Sequence, residues 1–162
     1  MKIKIFATGG TFEKEYNEIT QKLDFTDTHL PQILKHSRTT LDINVEKLML
    51  IDSLEMTDDH RKGIAQKCTE AHEEGIIITH GTDTMVETAK FLAERVRGKT
   101  IILTGAMHPY KFGSSDAAFN LGTALAFVQT LPQNVYIVMN GRYYAWDNCR
   151  KNLETGRFEE IK

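Results

Sequence analysis

Apolar residues fall along this chain in two alternating rhythms. Short β-branched runs at Lys2–Ala7, Gly75–Thr79, Thr100–Thr104 and Val135–Met139 are continuous enough to predict strands covered on both faces. Stretches with helical spacing lie between them. Thr57 is placed to cap a helix that runs through Arg61, Ile64, Cys68 and Ala71 and stops at Gly75. Thr82 or Asp83 caps the next, with Val86, Ala89, Phe91, Leu92 and Val96 on its apolar face and its end near Gly98. Ser114 or Ser115 caps another through Leu121, Leu125 and Val128, followed by Pro132. His29–Ser37 predicts a short helix, and Leu41–Ile51 an extended segment whose alternation is imperfect. Gly9 to about Thr28 is polar, weakly periodic and longer than an ordinary strand-to-helix connection, which suits a lid.

Strands alternating with helices imply right-handed crossovers. The expected fold is therefore α/β with three layers: a mainly parallel sheet with helices on both faces. No internal repeat, low-complexity tract or linker interrupts the pattern, so residues 1–162 are expected to form a single domain.

Composition changes this picture little. The chain is 41% hydrophobic and 26% charged, the balance of a folded protein, and its net charge of -2 offers no attraction for nucleic acid or an anionic membrane. No apolar stretch is long enough to span a bilayer, and Met1-Lys2-Ile3-Lys4 runs straight into a strand without the features of a signal peptide. Cytoplasmic localisation is expected. Cys68 falls on the apolar side of its helix and reads as a buried free thiol, whereas the setting of Cys149 stays open. The six histidines show no metal-ligand spacing, and neither common glycine-rich nucleotide fingerprint is present. No metal or cofactor is expected.

The chemistry gathers where the strands end. Ala7-Thr8-Gly9-Gly10-Thr11 follows the first strand and His80-Gly81-Thr82-Asp83-Thr84 the second clear one. In an open α/β sheet ligands bind outside the carboxyl ends of strands. These loops bring hydroxyls, a carboxylate and flexible glycine amides to one rim. Each has an ordinary reading taken alone: Gly-Gly as a tight turn, Gly-Thr-Asp-Thr as a helix cap, His80 as a packed, hydrogen-bonded histidine, Lys151 as a solvated charge. Together they suit nucleophilic catalysis, because a threonine hydroxyl needs a base and a lysine oriented by an aspartate can serve. Thr82, Asp83 and Lys151 can form such a counterpart of the serine triad, with free amides at the helix start available to an oxyanion.

These segments resemble the bacterial-type L-asparaginases, the asparaginase–glutaminase amidohydrolases. The matching blocks, in family order, are Ala7–Thr11, Asp52-Ser53, His80–Thr84, Thr104-Gly105-Ala106-Met107, Ser115-Asp116 with Asn120, and Val138-Met139-Asn140 with Lys151. The resemblance implies the fold of the N-terminal domain of those enzymes. It implies Thr11 as the nucleophile, Tyr16 as the lid tyrosine that assists it, and Thr82, Asp83 and Lys151 as the second catalytic group. Gly10, Asp52, Ser53, Gly81 and Asp83 would bind substrate, Ser53 at its α-carboxylate and Asp83 at its α-ammonium. The implied reaction is hydrolysis of L-asparagine to L-aspartate and ammonia through a threonine acyl-enzyme, with no cofactor, by a homodimer or homotetramer. Family members usually carry a second, smaller domain that completes the pocket, so a chain ending at Lys162 is expected to bind substrate weakly, with glutaminase side activity possible. Phe12, Leu54 and His108 depart from the commoner family residues. Two other readings compete: a module that binds the amino acid without turnover, and the amidohydrolase part of a partner-dependent amidotransferase.

Overall fold

The computed structural model describes residues 1–162. Six strands form the central sheet: β1 (Lys2–Gly9), β4 (Asp42–Ile51), β5 (Gly75–Thr79), β6 (Thr100–Thr104), β7 (Asn134–Met139) and β8 (Arg142–Ala145). Their order is β4-β1-β5-β6-β7-β8, with every pairing parallel except β7 with β8. Four helices connect them: α1 (Leu30–Ser37), α2 (Asp58–Glu70), α3 (Met85–Arg95) and α4 (Ala117–Val128). The three-layer α/β architecture expected from the sequence is the one observed.

The period-two geometry of a strand divides the core in two. On β5, Ile76 and Ile78 face a cluster with Ile64 and Cys68 of α2 and Met85, Ala89 and Leu92 of α3. Ile77 points the other way, with Ile3, Ile5 and Ala7 of β1, against Leu30 and Ile33 of α1 and Ala117, Leu121, Ala124 and Val128 of α4. Every residue of β5 and β6 is buried. A strand covered on both faces therefore shows no alternation in sequence. β4 lies at the sheet edge, where its residues are half-buried or exposed, and this explains its imperfect alternation.

Local chemistry sets several boundaries. Thr57 caps α2 as expected, in a capping box where its hydroxyl accepts from the His60 amide and the His60 ring Nδ1 accepts from the Thr57 amide. Ser115 Oγ accepts from the Ala117 amide at 3.0 Å where α4 opens. The expected cap of α3 is corrected. Neither Thr82 nor Asp83 caps it, because both side chains turn to Lys151, and the helix begins after Thr84. Thr84 instead binds the preceding layer through its hydroxyl, which donates to the Ser53 carbonyl at 2.8 Å.

The Gly9–Thr28 stretch is more ordered than its composition suggests. A single 3-10 turn at Thr11–Glu13 leads into an antiparallel hairpin, β2 (Lys14–Asn17) with β3 (Lys22–Phe25). None of its paired residues is buried, Tyr16 and Leu23 being exposed and most of the others half-buried, so no apolar alternation betrays the strands. The buried Glu13 closes the hairpin's base: its carboxylate accepts from Thr28 Oγ1 at 2.7 Å and from the His29 amide at 2.6 Å. Burial pushes the Glu13 carboxyl above the usual carboxylate range. A second short hairpin, β9 (Arg150–Lys151) with β10 (Phe158–Glu159), ends the chain's ordered pairing. Phe158 is buried and its carbonyl accepts from the Tyr144 hydroxyl at 2.9 Å, which ties β10, and through it β9, to the sheet.

Candidate active site

The strand order creates a switch point at β1. The chain leaves β1 for β4 on one side, then crosses to β5 on the other. Connections leading away in opposite directions open a crevice at the carboxyl ends of the strands. The loops after β1, β4 and β5 meet there.

Glycine makes that meeting possible. Gly10 has φ +76°, and a Cβ placed on it would lie 2.5 Å from both the Cα and the amide nitrogen of Gly81. A Cβ on Gly81 would lie 2.6 Å from the Cβ and Oγ of Ser53. Three loops thus pack together in the order Gly10, Gly81, Ser53, the first contact backbone on backbone and the second backbone on the Ser53 side chain. The Gly10 amide also donates to the Ile51 carbonyl at 2.9 Å, fastening the first loop to the end of β4. The buried Thr8 hydroxyl donates to the Thr79 carbonyl at 2.7 Å and joins the ends of β1 and β5.

Lys151 enters from the far end of the chain. Its Nζ donates to Thr82 Oγ1 at 2.8 Å and to Asp83 Oδ1 at 2.7 Å. The lysine side chain is largely buried and Asp83 is partly exposed. Thr82, Asp83 and Lys151 are therefore one hydrogen-bonded group. Thr11, half-buried, opens the 3-10 turn that follows Gly10, and its hydroxyl carries no hydrogen bond. Tyr16 stands on β2 with 57% of its surface exposed, and its hydroxyl bonds to none of the other candidate residues. Ser53 is buried beneath Gly81. Asp52 accepts from the Leu54 amide at 3.2 Å, capping the 3-10 turn Ser53–Glu55, while its other oxygen accepts from Lys14 Nζ at 2.7 Å. The Lys14 bond, more than any other contact, holds the Asp52 carboxyl below its ordinary range. Lys14 was invisible in the sequence, one cation in a polar stretch.

A buried support lies behind these loops. His80 Nδ1 lies 2.6 Å from the Gly81 carbonyl and Nε2 2.8 Å from Thr88 Oγ1. Because Arg61 Nε donates to Thr88 Oγ1 at 3.0 Å, that hydroxyl is free to donate to Nε2, which assigns the ring proton to Nδ1. Full burial, with Arg61 nearby, lowers the His80 pKa to about 4, so the ring is neutral. It holds the Gly81 carbonyl in place, the packed role expected for it. Asp116 and Asn120 tie the remaining loops: Asp116 accepts from the Met107 and His108 amides at 3.0 Å. Asn120 donates to the Gly105 carbonyl at 2.9 Å and accepts from the Asn140 amide at 3.0 Å.

Residues 2–159 match the family model described as Asparaginase, N-terminal. The chain belongs to the asparaginase family. It is 32% identical over 142 residues to an L-asparaginase of Thermococcus kodakarensis, covering 85% of this chain and 43% of that protein. It is 31% identical over 144 residues to one component of the glutamyl-tRNA(Gln) amidotransferase of Saccharolobus islandicus, covering 85% of this chain and 32% of the relative. The solved structure of a probable cytoplasmic L-asparaginase from Campylobacter jejuni superposes with a TM-score of 0.85 at 30% identity, over 98% of this chain and 52% of that one. The chain thus spans about half, or less, of the proteins it matches, and it corresponds to the N-terminal domain of the asparaginase fold. No helix is long and apolar enough to cross a membrane.

Proposed function

We propose that this protein hydrolyses the side-chain amide of L-asparagine, releasing ammonia and L-aspartate. The observation that carries the reading is the Thr82–Lys151–Asp83 group, set beside Thr11 by the contact of Gly10 with Gly81. In this scheme Thr11 Oγ1 attacks the amide carbon, with Tyr16 assisting. The carbon–nitrogen bond then breaks, ammonia leaves with the transferred proton, and water cleaves the resulting ester. A threonine hydroxyl is a poor nucleophile until a base takes its proton. The Thr11 proton would pass through the Tyr16 hydroxyl to the departing nitrogen, and in the second step the Thr82 hydroxyl, held by Lys151 and Asp83, would relay a proton of the attacking water back to Thr11 Oγ1. Asp83 would also hold the substrate's α-ammonium, and Ser53 its α-carboxylate. Asp52 acts through the turn that presents Ser53, since both its oxygens are engaged. Backbone amides near Gly10 and Gly81 would stabilise the oxyanion. We further propose a cytoplasmic homodimer or homotetramer acting without cofactor, with some action on L-glutamine.

The test is coupled ammonia release from millimolar L-asparagine, with L-glutamine in parallel. Thr11→Ala and Thr82→Val should each lose turnover by about a hundredfold or more while remaining folded. Undiminished release in both variants would refute the site. The amidotransferase relative motivates one other reading, in which ammonia is released only with a partner protein present. Turnover by the isolated chain decides against that version.

A further inference from the structure

This inference rests on the asparaginase reading above. Asp83 and Asp52 both stand on the rim where an amino-acid substrate would enter. Lys151 balances the first at 2.7 Å. The second adjoins Ser53, the candidate contact for the substrate's α-carboxylate. An unbalanced anion there would oppose the carboxylate it sits beside. Lys14 Nζ lies 2.7 Å from Asp52 Oδ2 and supplies that balance.

Lys14 is built into this position. It is the first residue of β2, three residues beyond Thr11, and its side chain is only 19% exposed. Its cross-strand partner is Phe25, with Nζ 5.5 Å from the ring centroid, so the stem is packed and the head aimed. The resulting ion pair joins two segments 38 residues apart, the hairpin that carries Tyr16 and the turn that carries Ser53. A solvated surface lysine shows none of these features.

We propose that Lys14 is a specificity-determining positioning residue: it neutralises Asp52 so that a substrate bearing a free α-carboxylate can dock at Ser53. It acts through Asp52 and need not touch the substrate. The substrate class it selects is amides of α-amino acids with the carboxylate unblocked.

Steady-state ammonia release from L-asparagine tests this in Lys14→Met, Lys14→Arg, and Lys14→Met combined with Asp52→Asn. Methionine keeps the packed stem and removes the charge. Asparagine at position 52 still accepts from the Leu54 amide and keeps the turn. Lys14→Met should raise KM by roughly tenfold at low salt with kcat within about twofold, and the rise should shrink as ionic strength increases. Lys14→Arg should stay near wild type, and the double variant should recover most of the lost KM. If Lys14 were only a strut, kcat would fall as KM rises and the double variant would fare no better than the single. That result, or an unchanged KM in Lys14→Met, overturns the proposal. Absence of ammonia release by the wild-type chain removes the asparaginase reading itself, and this inference with it.

Discussion

Gly10→Ala tests the contact on which the site depends. The added methyl would stand 2.5 Å from the Gly81 Cα and amide nitrogen and 3.0 Å from the His80 carbonyl carbon. Ordinary carbon contacts begin near 3.4 Å, so one loop must retreat by roughly 1 Å. Neither can do so cheaply. The first is tied to Ile51 through the Gly10 amide, and the second is held by His80 through the Gly81 carbonyl. The obstructing atoms are backbone, with no side chain to swing aside. Alanine at φ +76° and ψ -179°, a region open essentially to glycine alone, costs about 1–3 kcal/mol, and forced packing against a fixed neighbour adds about 1–3 kcal/mol. The expected loss is about 2–6 kcal/mol, against the roughly 5–15 kcal/mol that holds a typical domain folded. A displacement of about 1 Å between Thr11 and the Thr82 group should cost roughly a hundredfold in turnover. Urea unfolding measures the first effect and ammonia release the second. Stability within about 0.5 kcal/mol of wild type, with undiminished turnover, would refute the backbone stacking of the two loops.

Gly63→Ala is the matched control: Gly63 lies within α2 with nothing inside 4 Å of its would-be Cβ, so unfolding should show a gain of about 0.5–1 kcal/mol; a loss would contradict the open surface. His80 supplies a pH dependence. Its folded pKa of about 4 lies below the ordinary 6.5, so its contribution is complete above pH 6.5 and disappears as pH falls towards 4, by about 3 kcal/mol in all. Glu13, shifted upward, gains stability over the acid range, so the comparison is made against His80→Gln, in which Glu13 is unchanged. Parallel urea midpoints in the two proteins between pH 6.5 and 4 would refute the assignment. Cys68 and Cys149 are both buried, with thiols pushed up to about 12 by burial, so neither should react with an aromatic disulfide reagent at pH 8 until urea is added. Rapid labelling of the native protein would contradict that burial.

Much of this molecule can be read without coordinates. The all-buried β5 and β6 announce themselves as Gly75–Thr79 and Thr100–Thr104, because a strand covered on both faces excludes charge from every position. The Thr57 cap is equally legible, since its partners lie within one helical turn. Strand ends followed by Gly-Gly-Thr and Gly-Thr-Asp-Thr located the candidate rim, as the carboxyl edge of a parallel sheet requires. Tertiary structure decided what the residues on that rim do. Thr82 and Asp83 have the chemistry of a helix cap, and a lysine 68 residues away from Asp83 draws them off that task. The β2–β3 hairpin escapes sequence pattern because none of its paired residues is buried, so nothing imposes alternation. Lys14 and Asp52 acquire meaning only when the hairpin crosses the end of β4. Local periodicity and capping depend on neighbours in the chain and are written in it. An ion pair or a backbone contact between distant loops depends on the strand order that brings them together.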